Sequence, residues 1–300
     1  MTQNLLYCPA CERKTKCGYV GKYRGKSELF GKNELRQCLE CEVIFVCPLP
    51  TPVELDQYYK TTWLHDEDII SVSKEMETIY QIQGDLRCDY LIRHQVLSEG
   101  SKVLDIGSGY GYMFESIRNK GFKDMVFFAT DPSPICLQEL RKLGVNAFDS
   151  SKEISERDFD LVTLGQVLEH VPNPNYFLQS IVELVKQGGY IYIDVPDRDD
   201  MHKALLEPHT LFYSNNSLLK LAARLNLSVV HLTSFGVMRN NFIFPQNLVH
   251  RFSCKVKSLF RRILNKESES EQLKKKLFDT YQFDREGDGG WWVRAILKVR

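Results

Sequence analysis

The chain has 300 residues, 43% of them hydrophobic, and its 39 Lys plus Arg are balanced by 39 Asp plus Glu. That length suits one α/β domain with a small appendage, and the hydrophobic fraction is that of a globular protein with a real core. A formal charge of zero gives no global argument for a nucleic-acid partner, no apolar run is long enough to span a bilayer, and the first residues lack signal-peptide features, so a cytoplasmic protein is expected.

In chain order, residues 1–50 are rich in Lys, Gly and Cys and poor in helical pattern. Cys8-Pro9-Ala10-Cys11 and Cys38-Leu39-Glu40-Cys41 make two Cys-x-x-Cys pairs. In a reducing compartment such pairs favour metal over disulfides, and four thiolates make a closed, structural zinc site. Zinc is therefore expected on Cys8, Cys11, Cys38 and Cys41 in an N-terminal ribbon, with Cys17 and Cys47 as competitors. Cys88, Cys136 and Cys254 read as apolar fillers. The run Cys47-Pro48-Leu49-Pro50-Thr51-Pro52 cannot continue a helix or a central strand and marks a boundary.

Residues 53–99 read as helical, with a capping start near Ser71–Glu75 and a stop at Gly100. They form a connector or lid over 51–100, in which Tyr58, Tyr59 and Tyr80 are lid candidates, although core packing suits most of them. Short apolar strands then alternate with helices. Strands are expected at 103–106, 125–130, 145–148, 159–164, 189–195 and 227–235, with helices at 111–120, 133–143, 175–186 and 214–225. That alternation predicts a mostly parallel sheet covered on both faces. The core is thus expected over 101–236, an insertion over 237–289, and a final core strand over 290–300. Within the insertion, Phe252, Val256, Leu259, Phe260, Ile263 and Leu264 share a helical face beside Arg251, Lys255, Lys257, Arg261 and Arg262. A basic helix over 251–264 either docks on the parent domain, the favoured reading, or lies on an anionic membrane.

The most informative stretch is Val103-Leu104-Asp105-Ile106-Gly107-Ser108-Gly109-Tyr110-Gly111: a buried strand, a glycine-rich turn and the start of a helix. Glycines there let the backbone approach a ligand at the carboxyl end of the first strand. Asp131 follows the second strand, where a carboxylate can accept both hydroxyls of a ribose. A dinucleotide enzyme shares both features. The Gly-x-Gly-x-Gly spacing and Asp105 argue otherwise, since a carboxylate suits the cationic sulfonium and ammonium of S-adenosylmethionine better than a pyrophosphate.

Asp105 to Gly111 resembles the first motif of class I S-adenosylmethionine-dependent methyltransferases. Asp131 matches the family's ribose-binding acid, Phe159 to Pro172 its fourth-strand motif, and Gly188 to Asp194 the hairpin leading into its fifth strand. The resemblance implies a seven-stranded Rossmann-like sheet. It implies Gly107, Ser108, Gly109 and Gly111 around the methionine and ribose, Asp131 on the ribose, Pro132 and Ser133 beside the adenine, Asp149 near the adenine amine, and Gln166 on the methionine side. The cysteine-rich front, followed by Phe45-Val46-Cys47-Pro48-Leu49-Pro50 and Tyr58-Tyr59, resembles that of bacterial sugar and polysaccharide methyltransferases.

Methyl transfer is an in-line displacement that mainly needs alignment, plus a base when the acceptor is a hydroxyl or an acidic carbon. The base candidates are His209, Glu169 and His170. His209 matches a histidine of the sugar C-methyltransferases, but Pro208 stands where their glutamate does, leaving Glu207 as the nearest orienting group by a shifted register. Expected function is methyl transfer to a small molecule, with a sugar, nucleotide-sugar or glycan precursor preferred. The alternatives are an RNA or protein methyltransferase guided by the ribbon, which the neutral charge weakens, and a non-catalytic cofactor-binding scaffold.

Overall fold

A computed structural model describes residues 3–59, 61, 74–238 and 269–300. The basic segment 251–264, Cys254 and the capping start at Ser71–Ser73 lie outside the described residues.

Seven strands form the main sheet. They are β5 (Lys102–Ile106), β6 (Val126–Thr130), β7 (Asn146–Phe148), β8 (Phe159–Gly165), β9 (Val185–Pro196), β11 (Ser228–Phe235) and β12 (Trp292–Lys298). Their spatial order is β11-β12-β9-β8-β5-β6-β7. The strands from β9 to β7 run parallel, and β12 is antiparallel to both β9 and β11. This is the mostly parallel α/β sheet the alternating pattern implied. The order reverses between β5 and β8, and at such a switch point the carboxyl ends of the strands open a ligand crevice.

Successive strand residues point to opposite faces, so both faces need cover. Leu104, Val162, Leu164, Ile191 and Ile193 pack with Leu178 and Ile181 of α5 (Pro174–Val182) and Leu218 and Leu221 of α6 (Asn215–Arg224). Val103, Leu161 and Tyr192 pack on the other face with Cys88 and Leu91 of α2 (Lys74–Arg93), Met113 and Phe114 of α3 (Tyr112–Asn119), and Leu137 and Leu140 of α4 (Pro134–Lys142). Cys88 is one of the apolar fillers expected. Truncating any one of these buried leucines to alanine costs about 2–5 kcal/mol.

Local chemistry sets the helix ends. Thr51 and Glu54 form a capping box at the start of α1 (Pro52–Tyr58). α2 stops at Arg93, well before the expected stop at Gly100. Gln95 takes φ 56° there, while Val96 N–H donates to the carbonyl of Leu91 and Gln95 N–H to that of Ile92. That is a Schellman stop built without glycine, so the sequence gives no warning of it. The helix expected over 175–186 ends at Val182, because Phe159 N–H takes the carbonyl of Leu184 and Val185 already pairs with β8.

The cysteine-rich segment forms a second, antiparallel sheet. Its strands are β1 (Gln3–Cys8), β2 (Arg13–Lys22), β3 (Glu34–Cys38) and β4 (Ile44–Cys47). The fifth is β10 (Leu211–Phe212), contributed by the chain beyond β9. Buried Cys8, Cys11, Val43 and Phe45 share one apolar cluster with Leu211, Tyr213 and the α6 residues. The small sheet therefore completes its own core on the larger domain. α7 (Glu269–Tyr281) packs Leu273, Leu277 and Phe278 against Ile82 of α2 and Phe283.

Candidate functional site

The glycine turn lies at the carboxyl end of β5. Gly107, Gly109 and Gly111 have φ of 68°, 56° and 80°, a region that β-carbons disfavour. A Cβ on Gly107 would meet Val167 Cγ2 at 2.6 Å, whereas nothing lies within 4 Å of one on Gly109, which borders open space. The amides of Gly107 and Ser108 donate to the carbonyl of Thr130, tying the turn to the end of β6 at 2.8 and 3.1 Å. Asp131 completes the cradle: Oδ2 accepts from Gly109 N at 2.8 Å and Oδ1 from Ser133 N at 2.9 Å. Burial raises the Asp131 carboxyl against these two bonds. Asp105 is buried beneath, its Oδ1 accepting from Thr163 Oγ1 at 2.5 Å, and burial raises it as well.

This arrangement fits S-adenosylmethionine: an open, glycine-lined edge with Asp131 fixed against the turn and Asp105 buried at the end of the strand before it. Ser133 also caps α4 through its hydroxyl, with exposed Pro132 before it. Asp149 stands exposed after β7, beside Glu153. Gln166, at φ 60° past β8, gives its side chain to Asp194.

The sequence did not reveal Arg87. Its Nε donates to Asp194 Oδ2 at 2.8 Å, and Tyr192 Oη donates to the same oxygen at 3.1 Å. The guanidinium lies against Gly165, where a Cβ would meet Nη1 and Nη2 at 2.7 Å. Asp194 keeps Arg87 charged despite burial. A cation thus stands at the carboxyl ends of β8 and β9. The signal available was a lone arginine in the helix leading to the glycine motif, and nothing in a single sequence separates it from a surface residue.

Glu169, His170 and His209 come together across the end of β8. One ligand atom from each lies within 4.8 Å of the others. The rings of His170 and His209 are 4.8 Å apart and nearly perpendicular. Glu169 sits in a short helical turn, 1% exposed, and neither carboxylate oxygen has a hydrogen-bond partner. Burial pushes its carboxyl up to about 8, partly offset by its own backbone amide. Burial also pulls His170 well below the ordinary imidazole range and lowers His209, against the pull of Asp199.

His209 is oriented, though not by the residue expected. Its Nδ1 lies 2.7 Å from Asp199 Oδ2, and Asp199 is 2% exposed. Burial opposes charge on Asp199, but His209 and Lys203 hold its carboxyl below the usual range. Glu207 faces elsewhere. Its Oε1 accepts from the amides of Lys26 and Ser27 at 2.6 and 2.8 Å and from Ser27 Oγ at 2.9 Å. Of the three tyrosines considered for a lid, Tyr59 reaches the cluster, its hydroxyl 2.9 Å from His170 Nδ1. Tyr58 packs in the small apolar cluster with Phe30.

The small sheet grips the loop carrying these groups. Tyr23 Oη donates to the carbonyl of His209 at 2.9 Å, Leu206 N–H donates to that of Arg24, and Arg24 donates to those of Lys203 and Asp200. At the sheet's far end, Cys8, Cys11, Cys38 and Cys41 cluster, with Sγ–Sγ distances of 3.6 Å (Cys8–Cys41) and 3.7 Å (Cys11–Cys38). Cys17 is buried beside Thr15, outside that four-thiol group. Four soft donors at this spacing suit a tetrahedral zinc ion. Arg224 Nη2 on α6 approaches Cys11 Sγ at 3.4 Å, and Lys220 bonds to Glu42 and the carbonyl of Glu40.

Sheet order, glycine turn and paired acids define an S-adenosylmethionine-dependent methyltransferase of class I. Residues 80–232 match the family described as "Methyltransferase domain", and the chain belongs to it. Ubiquinone biosynthesis O-methyltransferases of Aliivibrio fischeri and Photobacterium profundum are 29% and 28% identical to it over 133 residues. Those alignments cover 42% of this chain and 56% of each relative, so the chain spans about half the length of the curated relatives it matches. Among solved structures, a possible histamine N-methyltransferase from Thermotoga maritima is 14% identical, with TM-score 0.49, over 82% of this chain and all of that one (100%). The putative methyltransferase bound to the Haloferax volcanii Trm112 activator is similar at 15% identity and TM-score 0.46, over 77% and 98%. Among the described residues, no helix is long and apolar enough to cross a membrane.

Proposed function

We propose that this methyltransferase transfers a methyl group to a hydroxyl oxygen of a small-molecule acceptor, with a sugar, nucleotide-sugar or glycan precursor as the preferred class. The observation that carries the reading is the Asp199–His209 pair beside Glu169 and His170 at the carboxyl edge of the sheet. The curated relatives are named O-methyltransferases, which supports oxygen as the acceptor atom. The cysteine-rich front supports the carbohydrate class by its resemblance to sugar methyltransferases.

S-Adenosylmethionine, when bound, supplies an electrophilic methyl group on a sulfonium. Gly107, Ser108, Gly109 and Gly111 line its path, Asp131 holds the ribose, and Pro132, Ser133 and Asp149 border the adenine. Asp105 and Gln166 face the methionine side, and Arg87 meets the methionine carboxylate. As the O–CH3 bond forms and the S–CH3 bond breaks, the bonding pair stays on sulfur and the hydroxyl proton goes to His209. Asp199 fixes the ring and stabilises the imidazolium, as a carboxylate behind a histidine base does. Zinc on Cys8, Cys11, Cys38 and Cys41 holds the small sheet, and the protein works in the cytoplasm.

Transfer of tritiated methyl from S-adenosylmethionine to sugar nucleotides, glycan precursors, phenols, RNA and peptides tests the reading. Label on a sugar hydroxyl is the expected result. Label on RNA or peptide establishes the alternative of a macromolecular substrate, and label on no acceptor removes the proposal.

A further inference from the structure

We propose that Glu169, His170 and His209 form a second metal site, taking a divalent first-row cation that holds the acceptor hydroxyl. The inference rests on reading this cluster as the acceptor site, and with the ion bound it gives His209 the role of ligand in place of that of base.

Three observations carry it. First, the donors converge: a carboxylate oxygen and two imidazole nitrogens lie within 4.8 Å of one another, near enough for one ion to reach all three. Two histidines and a carboxylate leave positions open for water or substrate, the pattern of reactive rather than structural metal centres. Second, the outer nitrogen of each ring is already engaged. Tyr59 Oη holds His170 Nδ1 at 2.9 Å and Asp199 Oδ2 holds His209 Nδ1 at 2.7 Å. Each Nε2 is thereby the nitrogen offered to the ion, that of His170 lying 3.9 Å from Glu169 Oε1, and a hydrogen-bond partner behind a histidine is the usual support of a metal ligand. Third, Glu169 is 1% exposed and neither of its side-chain oxygens has a hydrogen-bond partner in another residue. A buried carboxyl without partners costs stability, which a bound cation returns.

Lys203 Nζ, 3.5 Å from His209 Nε2, occupies one approach to the site. Its side chain is 41% exposed, so it can turn to solvent when a cation enters. With the ion bound, His209 serves as ligand rather than base. The acceptor hydroxyl, polarised by the cation, loses its proton to water as its oxygen takes the methyl carbon, and the S–C pair stays on sulfur.

Mn2+ is the probe, because it prefers oxygen and nitrogen donors and leaves thiolates alone. Electron paramagnetic resonance of the full chain titrated with Mn2+ should show one tight equivalent, lost in Glu169→Gln and in His209→Ala. Thermal melts of both variants confirm folding. Protein freed of loosely held divalent cation by gel filtration, without a chelator that would strip the four-cysteine site, should gain at least tenfold in methyl transfer when Mn2+ is added. Absence of Mn2+ binding by the wild-type chain, or binding unchanged in both variants, overturns the site. If Mn2+ fails to bind while His209→Ala still abolishes transfer, the function proposed above stands and the ion falls. If Mn2+ binds through these residues but no acceptor is methylated, the ion stands and the acceptor reading falls.

Discussion

The two halves of the crevice are built in different ways. The cofactor half is local: Asp105 to Gly111 form one continuous strand and turn, and Asp131 bonds directly to Gly109. The half proposed to take the acceptor is assembled from α1, the turn after β8, the loop after β9 and the small sheet, through Tyr59, Glu169, His170, Asp199, His209 and Tyr23. Local construction lets a cradle survive changes elsewhere. Distributed construction makes the reacting groups depend on how separate segments dock. The two halves should therefore fail separately.

The largest effect should come from the small sheet. Metal supplies much of the folding energy of small cysteine sites. Chelating the zinc proposed for the four cysteines, or Cys38→Ser, should unfold the sheet and reduce methyl transfer to background, while calorimetry still finds S-adenosylmethionine affinity within a few fold. Loss of both together would show that the halves are one unit. Next comes His209→Ala, expected to lower kcat by roughly 10²–10⁴, the range for losing a general base. Steady-state kinetics on the methylated acceptor measures this, and a normal kcat would reduce His209 to a turn residue. On the cofactor side, Arg87→Ala should weaken S-adenosylmethionine by about 1.5–3 kcal/mol, roughly ten- to a hundredfold, for lost hydrogen bonds to a carboxylate. Unchanged affinity would leave Arg87 as a partner of Asp194 alone. The smallest effect is that of Tyr23→Phe. Removing its bond to the His209 carbonyl should cost about 1 kcal/mol of stability and lower kcat a few fold, read from melting and turnover.

The same contrast explains what could be read from the sequence. Strand period, glycine spacing and Cys-x-x-Cys pairs are short-range signals, so the seven-stranded sheet, the glycine turn and the grouping of Cys8, Cys11, Cys38 and Cys41 were legible. Asp199 was not, because the resemblance points to an orienting acid at positions 207 and 208, next to His209 in sequence. Glu207 instead bonds to Lys26 and Ser27, and the acid that reaches the ring comes from a turn ten positions earlier. β10 was equally hidden: two residues, Leu211 and Phe212, carry no strand period of their own and become a strand only by pairing with β4. Arg87 depends on Gly165 leaving room for a guanidinium, a fact of packing rather than of pattern.

Side-by-side calorimetric titration of S-adenosylmethionine into Asp131→Ala and His209→Ala tests the division most directly. Asp131→Ala should bind about 1.5–3 kcal/mol more weakly than the unaltered chain, for loss of the charge-assisted bonds proposed to the ribose, and His209→Ala should bind as tightly as the unaltered chain. Normal affinity in Asp131→Ala, or an equal loss in His209→Ala, would contradict the account.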